Sequence, residues 1–317
     1  MHETNLAGII PAIVTPMVDE DRLDLAAVGP YVRWLADQGA VALAVNVDTG
    51  EGPHLAPAER RAMLETVGEA LDGRAAIVAG VGGPSTRDAV ANARDARDAG
   101  ADALLVFPIG AFLSQPLRPD VVYRHHAAIA EAVDLPLILF QLQPALGGTL
   151  YPPAVLDGLL EIPSVVAIKE ASFDPLRYLE LRARLRAADR RILLLTGNDN
   201  FIAESMLLGA DGALLGFATL GTAEHVALLG AARAGDMALV AKLGERLQRL
   251  ADVVFAPPVV DYRARTKEAL RCLGAIPSTV VRPPLLPVDD DERERIRRAV
   301  AAAGLAPMGA ATAAGQV

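Results

Sequence analysis

The sequence predicts a (β/α)8 barrel, and three observations support this. Eight short apolar runs recur along the chain, at a spacing close to one strand-plus-helix unit of about 30 residues. The runs are continuous rather than alternating, which is typical of strands buried on both faces of a parallel sheet. The segments between them carry apolar residues at helical spacing. A chain of 317 residues that is 52% hydrophobic can form such a barrel with an appendage.

The predicted strands and helices alternate in order along the chain. Segments such as 88–99 and 177–188 are expected to form helices between strands. Gly39, Gly100 and Gly209 each follow such a segment, in the position where glycine commonly ends a helix, and each opens the next strand. The eight apolar runs begin near Ile9, Val41, Ala76, Ala103, Leu135, Val165, Ile192 and Ala213.

The last third of the chain has a different pattern, because the apolar runs stop after Gly221. We therefore expect three regions: a barrel core at 1–221, a last barrel helix with a C-terminal helical extension at 222–303, and a flexible tail at 304–317. Within the second region, helices are predicted at 222–234, 237–251, 262–273 and 290–303. A doubly wound dinucleotide-binding fold is the rival, but the glycine-rich stretch 80–83 lacks the full phosphate-binding fingerprint.

Composition narrows the classes of partner. The net charge is −9 and there is no basic run, which argues against nucleic acid and anionic membranes. No apolar run approaches the roughly 20 residues of a membrane span. The N-terminal residues lack the basic and apolar parts of a signal peptide. Cys272 is the single cysteine, so we expect a reducing, cytoplasmic setting.

Lys169 is the first candidate catalytic residue. It directly follows the apolar run 165–168, and active sites of such barrels lie at the carboxyl ends of the strands. Burial would lower the pKa of its amine, and a neutral amine can attack a ketone to form an iminium. The alternative is a structural lysine paired with Glu170 or another acid. Lys242 and Lys267 lie on predicted helices and are expected to be solvated or at an interface.

Two further polar stretches follow predicted strands. In the turn Asp48-Thr49-Gly50-Glu51, hydroxyl and backbone N–H groups can hold a carboxylate, or the turn is plain and Glu51 caps the next helix. Asp199 follows another strand and either contacts substrate or serves as a helix N-cap. No His, Asp or Glu cluster has metal-ligand spacing, which argues against a metal-dependent aldolase.

Together these motifs resemble the dihydrodipicolinate synthase / N-acetylneuraminate lyase family. The resemblance implies a (β/α)8 barrel, commonly a homotetramer, that acts on pyruvate or a related 2-oxo acid through Lys169. It also implies that Leu214 presents its backbone carbonyl near the site. Asp199 and Asn200 match the lyase positions that touch the sugar chain, although Asn200 replaces a glutamate. The matching stretches are 8–16, 48–51, 166–172, 196–199 and 209–213.

The departures from this family are equally informative. Asp48 replaces the first hydroxyl residue of the family's turn, and Phe140 falls where the family has a proton-relaying tyrosine. The synthase's second tyrosine falls near Ile109 or Gly110, and no arginine follows Pro144 within 145–149. These departures argue against true dihydrodipicolinate synthesis, and they also weaken the interpretation of the protein as a sialate lyase.

We therefore predict a class I aldolase, lyase or dehydratase without cofactor or metal, in which Lys169 forms a Schiff base with a small 2-oxo acid. Asp48 is the candidate acid/base and Phe140 packs against the iminium. The other predicted contacts are Thr49 and Gly50 to the substrate carboxylate, together with Leu214, Gln141, Asp199 and Asn200. Gln141 either contacts distal substrate or satisfies loop backbone. A homotetramer or dimer is expected. The rival hypotheses are a synthase with an altered proton relay and an inactive 2-oxo-acid-binding barrel.

Overall fold

The computed structural model describes residues 4–113 and 116–310, and its centre is an eight-stranded parallel barrel. The sheet order is β1-β10-β9-β8-β7-β6-β5-β4, and a parallel bridge between Ala12 and Ala44 joins the first strand to the last and closes the barrel. The predicted fold class is confirmed. The barrel strands are β1 (Ile9–Pro11), β4 (Ala42–Val45), β5 (Ala76–Val81), β6 (Ala103–Val106), β7 (Leu137–Leu142), β8 (Val165–Ala171), β9 (Leu193–Thr196) and β10 (Gly212–Leu215).

A short antiparallel pair, β2 (Met17–Asp19) and β3 (Arg22–Leu23), follows the first barrel strand and was not predicted. The predicted helices between the strands are present, and the extension consists of the last three helices. The helices are α1 (Leu25–Asp37), α2 (Pro57–Leu71), α3 (Thr86–Asp98), α4 (Pro119–Ala132), α5 (Pro153–Leu160), α6 (Pro175–Arg186), α7 (Ile202–Leu207), α8 (Thr222–Ala234), α9 (Met237–Val254), α10 (Tyr262–Cys272) and α11 (Asp290–Ala303).

Two apolar layers explain why the strands read as continuous apolar runs. Side chains on one face of the strands fill the barrel interior, among them Ile10, Leu105 and Ile138. Side chains on the other face pack beneath the surrounding helices, as Leu104 and Leu139 do. Because successive residues of a strand point to opposite faces, both sets must be apolar.

Lys267 of α10 is buried, and the prediction that it is solvated or interfacial is wrong. Its Nζ lies 2.5 Å from Glu51 Oε1 and donates to Val280 O at 2.6 Å. Glu51 Oε2 accepts from the backbone N–H of Arg282 at 2.8 Å. Glu51 precedes the short 3-10 helix Gly52–His54, but its side chain makes no capping hydrogen bond there. A buried charge requires such partners. This ion pair fastens α10 to the turn after β4, at the carboxyl end of the barrel.

The described part of the predicted tail, 304–310, is packed rather than loose. Leu305 is buried in the main core, and the backbone N–H of Met308 donates to Leu273 O at 2.8 Å. The rest of the predicted tail, 311–317, lies outside the described residues.

None of the helices within 4–113 and 116–310 has the length and apolar character needed to cross a membrane.

Candidate active site

A cavity of about 440 Å³ lies at the carboxyl ends of the barrel strands. Six predicted site residues line it: Lys169, Asp48, Thr49, Phe140, Asp199 and Leu214. A larger depression of about 1230 Å³ between α5 and α6 contains none of these six. Because side chains predicted to act in catalysis converge from separate strands on the smaller cavity, we take it as the candidate active site.

Lys169 reaches this cavity from β8, the sixth strand of the barrel. A Cβ atom on Gly197 would lie 2.7 Å from Lys169 Cε, so a larger residue there would displace the lysine side chain from its present position. Lys169 and Phe140 are paired in register on neighbouring strands, and Nζ lies 4.3 Å from the centre of the Phe140 ring. The lysine is partly accessible through the cavity, and it forms no salt bridge or hydrogen bond within the described part of the chain.

The surroundings of Lys169 shift its pKa. Burial lowers this pKa to about 8, against the opposing charges of Asp199 and Asp48. A pKa of about 8 leaves roughly a tenth of the amine neutral at pH 7, roughly 300-fold more than the usual pKa of a lysine allows. The amine is therefore available as a nucleophile near neutral pH.

Asp199 lies in the same cavity and has the complementary shift. Burial raises the pKa of its carboxyl group to about 7, although the Lys169 ammonium acts in the opposite direction. Its Oδ1 is buried without a hydrogen-bond partner among the described residues. Asp199 is not an N-cap, because Phe201 precedes α7. Lys169 and Asp199 therefore line the same cavity with opposite pKa shifts.

Asn198 and Glu170 fix the strand ends that carry this pair. Asn198 Nδ2 donates to Glu170 Oε2 at 2.6 Å, and Asn198 Oδ1 accepts from the backbone N–H of Phe173 at 2.8 Å. Glu170 Oε1 also accepts from the backbone N–H of Ser172 at 2.9 Å. Glu170 is thus engaged with β9 and its own strand, and it is not the partner of Lys169.

Asp48 is held by two residues of the C-terminal extension. Tyr262 donates its hydroxyl to Asp48 Oδ2 at 2.7 Å, and Arg263 forms an ion pair with Asp48 Oδ1. Arg263 Nε also donates to Asp48 O at 2.8 Å. Burial and the charge of Asp48 raise the pKa of Tyr262 well above its usual value, so its hydroxyl remains protonated. These contacts bring the Tyr262 phenol into the cavity, in which Phe140 occupies the position where the resemblance leads one to expect a tyrosine.

Sequence reasoning missed Tyr262 and Arg263. More than 200 residues separate them from Asp48, and no local motif marks them. The helix predicted at 262–273 is present as α10, but its sequence carried no information on where it would dock.

Thr49 is buried in the cavity wall, and its Oγ1 lies 3.5 Å from the Tyr262 hydroxyl. A Cβ atom on Gly216 would come within 2.4 Å of Thr49 Oγ1, so glycine keeps the space beside the hydroxyl open. Gly50 does not line the cavity, and its N–H donates to Val47 O at 3.1 Å. Gly50 is therefore not among the residues that the structure brings to the cavity.

Two other predicted contacts also lie outside the cavity. Gln141 follows Phe140 on β7, and alternation along the strand turns it to the opposite face. Its Oε1 accepts from the backbone N–H of Tyr151 at 3.0 Å, so it satisfies loop backbone. Asn200 is exposed and donates to Phe173 O at 3.3 Å. Leu214, by contrast, lies fully buried in the cavity wall.

Three of the six cavity residues predicted from the sequence carry ionisable groups, namely Lys169, Asp48 and Asp199. No group of three or more His, Cys, Asp or Glu side chains within 4–113 and 116–310 is placed to hold a metal ion. The site contains an amine with a lowered pKa (Lys169), a buried carboxyl group (Asp199), a hydroxyl beside an open space (Thr49) and a phenol hydrogen-bonded to a carboxylate. These groups suit carbonyl chemistry through a lysine adduct.

The comparisons with known proteins agree with this geometry. The sequence model of the dihydrodipicolinate synthetase family matches residues 5–303. The 4-hydroxy-tetrahydrodipicolinate synthase of Moorella thermoacetica is 33% identical over 298 residues, which cover 94% of this chain and 98% of that protein. Dihydrodipicolinate synthase from Acinetobacter baumannii, solved with pyruvate, is 31% identical, with a TM-score of 0.84 over 95% of this chain and 100% of that chain.

A dihydrodipicolinate synthase variant described as monomeric has the same architecture. It is 25% identical, with a TM-score of 0.85 over 94% of this chain and 97% of that chain. The predicted resemblance and the prediction of an enzyme of this family are both confirmed. With a family match over nearly the whole length, this chain belongs to the dihydrodipicolinate synthetase family.

Proposed function

We propose that this protein is a class I aldolase, lyase or dehydratase that binds pyruvate or another 2-oxo acid as a Schiff base on Lys169. The observation that carries the proposal is an amine with a lowered pKa, free of any ion pair among the described residues, beside a buried carboxyl group in a 440 Å³ cavity. A structural lysine would be paired, as Lys267 is with Glu51.

The reaction proceeds through an electron sink on nitrogen. Neutral Lys169 Nζ attacks C2 of the 2-oxo acid, and loss of water gives the iminium. Removal of a proton from C3 gives the enamine, whose C3 forms a bond to the carbonyl carbon of an aldehyde while the aldehyde oxygen takes up a proton. Water then releases a 4-hydroxy-2-oxo acid. The reverse sequence cleaves the same bond, and loss of the 4-hydroxyl as water gives the dehydratase outcome.

The side chains around Lys169 divide the remaining work. Thr49 donates its hydroxyl to the substrate carboxylate, in the space that Gly216 leaves open. Phe140 packs against the iminium. Asp199 takes the proton that the lysine loses before it attacks.

Asp48 and Tyr262 supply the acid/base function at the aldehyde oxygen. Their hydrogen bond of 2.7 Å connects a carboxylate with a phenol inside the cavity, and it supports the role predicted for Asp48. Arg263 neutralises Asp48, which reduces its repulsion of the substrate carboxylate. Tyr262 thereby provides a hydroxyl that Phe140 cannot.

Reductive trapping tests this proposal. The protein is incubated with pyruvate and with other 2-oxo acids, reduced with borohydride, digested and analysed by mass spectrometry. We expect a reduced pyruvyl group on the peptide that contains Lys169 and none in Lys169→Met. Lys242→Met, which removes an exposed lysine of α9, is the matched control and should be labelled normally. The absence of label with every 2-oxo acid would instead favour a barrel that has lost turnover.

A synthase with an altered proton relay is the second candidate, and the name of the Moorella thermoacetica relative favours it. Against it, no arginine lies within 145–149, and Arg263 is already engaged with Asp48. An assay with pyruvate and aspartate semialdehyde decides between the two. If aspartate semialdehyde is turned over at a rate comparable with that of other aldehydes, the synthase is favoured.

Two properties complete the proposal. The chemistry uses no metal or organic cofactor, because the iminium formed on Lys169 is itself the electron sink. Activity should therefore survive dialysis against a chelator. The protein is a homotetramer or dimer in a reducing, cytoplasmic compartment. Sedimentation velocity tests the assembly, and a monomer, as described for one structural relative, would refute that part.

A further inference from the structure

The cavity around Lys169 is larger than a three-carbon acid requires. A cavity of about 150 Å³ is enough to hold a benzene ring. At about 440 Å³, the cavity has room for the 2-oxo acid and for a second group of ring size. The chemistry of the wall beyond Lys169 therefore determines which second group can bind.

Besides the polar group that Asp48, Thr49, Tyr262 and Arg263 form with one another, the cavity has an apolar wall. This wall comes from several elements: the ends of β6 and β7, the loop after β7 and the segment before α10. Leu146 and Val260 at the opening are exposed, whereas Phe107 and Leu142 are half-buried. The residues that matter here are Phe107, Pro108, Leu142, Leu146, Val259 and Val260.

Among the described residues, the two cations of the cavity are not available to a distal anion. Arg263 is paired with Asp48, and Lys169 is the group that binds the 2-oxo acid in the proposed function. Within 4–113 and 116–310, Arg263 is the lining cation besides Lys169, and its guanidinium donates to Asp48 through both Nε and Nη2. A carboxylate or phosphate on the distal part of a substrate would therefore be desolvated against apolar groups without a counter-charge, which is unfavourable.

From this wall we infer that the aldehyde condensed or released by the enzyme is uncharged and apolar, and of about the size of an aromatic ring. The substrate is then a 4-hydroxy-2-oxo acid, or its dehydrated 3,4-unsaturated form, with an apolar group on C4. The carbon–carbon step is the one written above, with this group as the substituent of the aldehyde. The inference rests on the proposed Schiff-base function and specifies its acceptor.

The test measures condensation of pyruvate with benzaldehyde, 4-carboxybenzaldehyde and glyceraldehyde, with product detected by chromatography and mass spectrometry. We expect kcat/KM for benzaldehyde to exceed that for 4-carboxybenzaldehyde by at least about 100-fold, because the added carboxylate has no partner in the wall. Equal or greater activity with either polar aldehyde would overturn the inference.

Val260→Arg adds a cation at the opening, where 52% of the side chain is exposed, so the fold should tolerate it. It should shift the preference towards 4-carboxybenzaldehyde by at least about 10-fold. Val18→Arg is the matched control, because Val18 is 51% exposed on the β2–β3 hairpin and outside the cavity. An identical preference in the two variants would count against an apolar acceptor site at this wall.

Borohydride trapping of pyruvate separates this inference from the function on which it rests. Trapping at Lys169 with no preference for benzaldehyde refutes the apolar acceptor and leaves the Schiff-base proposal standing. Failure to trap pyruvate or any other 2-oxo acid refutes both.

Discussion

The buried ion pair between Glu51 and Lys267 allows a quantitative prediction of stability. Both side chains are fully buried, and Lys267 has no other carboxylate partner in the described residues. Glu51→Gln keeps the shape and removes the charge, so Lys267 must remain as an unpaired ammonium or lose its proton. Deprotonating a lysine at pH 7 costs at most roughly 5 kcal/mol. Breaking a buried pair typically costs about 3 to 5 kcal/mol.

We therefore expect the free energy of unfolding of Glu51→Gln to fall by about 3 to 5 kcal/mol, measured by urea denaturation with refolding verified. Glu245→Gln is the matched control. It breaks the ion pair with Arg249, whose side chains are 67% and 77% exposed, and should cost at most about 1 kcal/mol. The double variant Glu51→Gln/Lys267→Met should recover part of the loss, because no unpaired charge remains.

The pH dependence of the deficit gives a second check. Burial lowers the pKa of Lys267, and removal of Glu51 lowers it further. The unfolded chain then binds more protons than the folded chain, so the stability of the variant rises with pH up to the ordinary pKa of a lysine. The deficit should shrink by up to about 1.4 kcal/mol per pH unit. A deficit below 1 kcal/mol, or one that stays constant from pH 7 to 9, would refute this account.

Three further predictions concern the cavity. Asp199→Asn removes the charge that favours the Lys169 ammonium, so the pKa of Lys169 should fall below about 8. The acidic limb of the pH–rate profile should then move to lower pH, whereas the control Asn200→Ala should leave the profile unchanged. Tyr262→Phe should lower kcat by roughly 100-fold or more with little change in the extent of pyruvate trapping, and equal kcat would remove Tyr262 from the mechanism. Phe140→Leu removes a cation–π contact of about 1 kcal/mol, which should lower the pKa of Lys169 by roughly 0.7 unit; a titration that shows no decrease would contradict this.

The sequence was sufficient to predict the barrel because both faces of each strand are buried. Continuous apolar runs such as 103–107 are typical of strands that are covered on both faces. The β2–β3 hairpin escaped detection because its strands are two and three residues long and carry exposed polar side chains. Such short elements lack the periodicity on which the prediction depends.

The site residues on barrel strands were easier to predict than those on other elements. Lys169 lies near the carboxyl end of β8 and Asp199 follows β9, so the known position of barrel active sites located them. The sequence left open whether Gln141 contacts substrate or satisfies loop backbone, because the register of β7 is needed to decide whether Gln141 or Phe140 faces inward. The environments of Tyr262 and Lys267 could not be predicted, because helical spacing does not reveal which surface α10 packs against. That surface is defined by tertiary contacts with Asp48 and Glu51.

The central claim is that Lys169 Nζ forms a covalent bond to C2 of a 2-oxo acid. A crystal structure of the protein soaked with pyruvate tests it most directly. The account predicts continuous density from Nζ to a three-carbon acid whose carboxylate accepts a hydrogen bond from Thr49 beside Gly216. Asp48 and Tyr262 should remain hydrogen-bonded to each other. Pyruvate bound elsewhere, or a lysine left unmodified with its amine turned to a carboxylate or to bulk water, would contradict it.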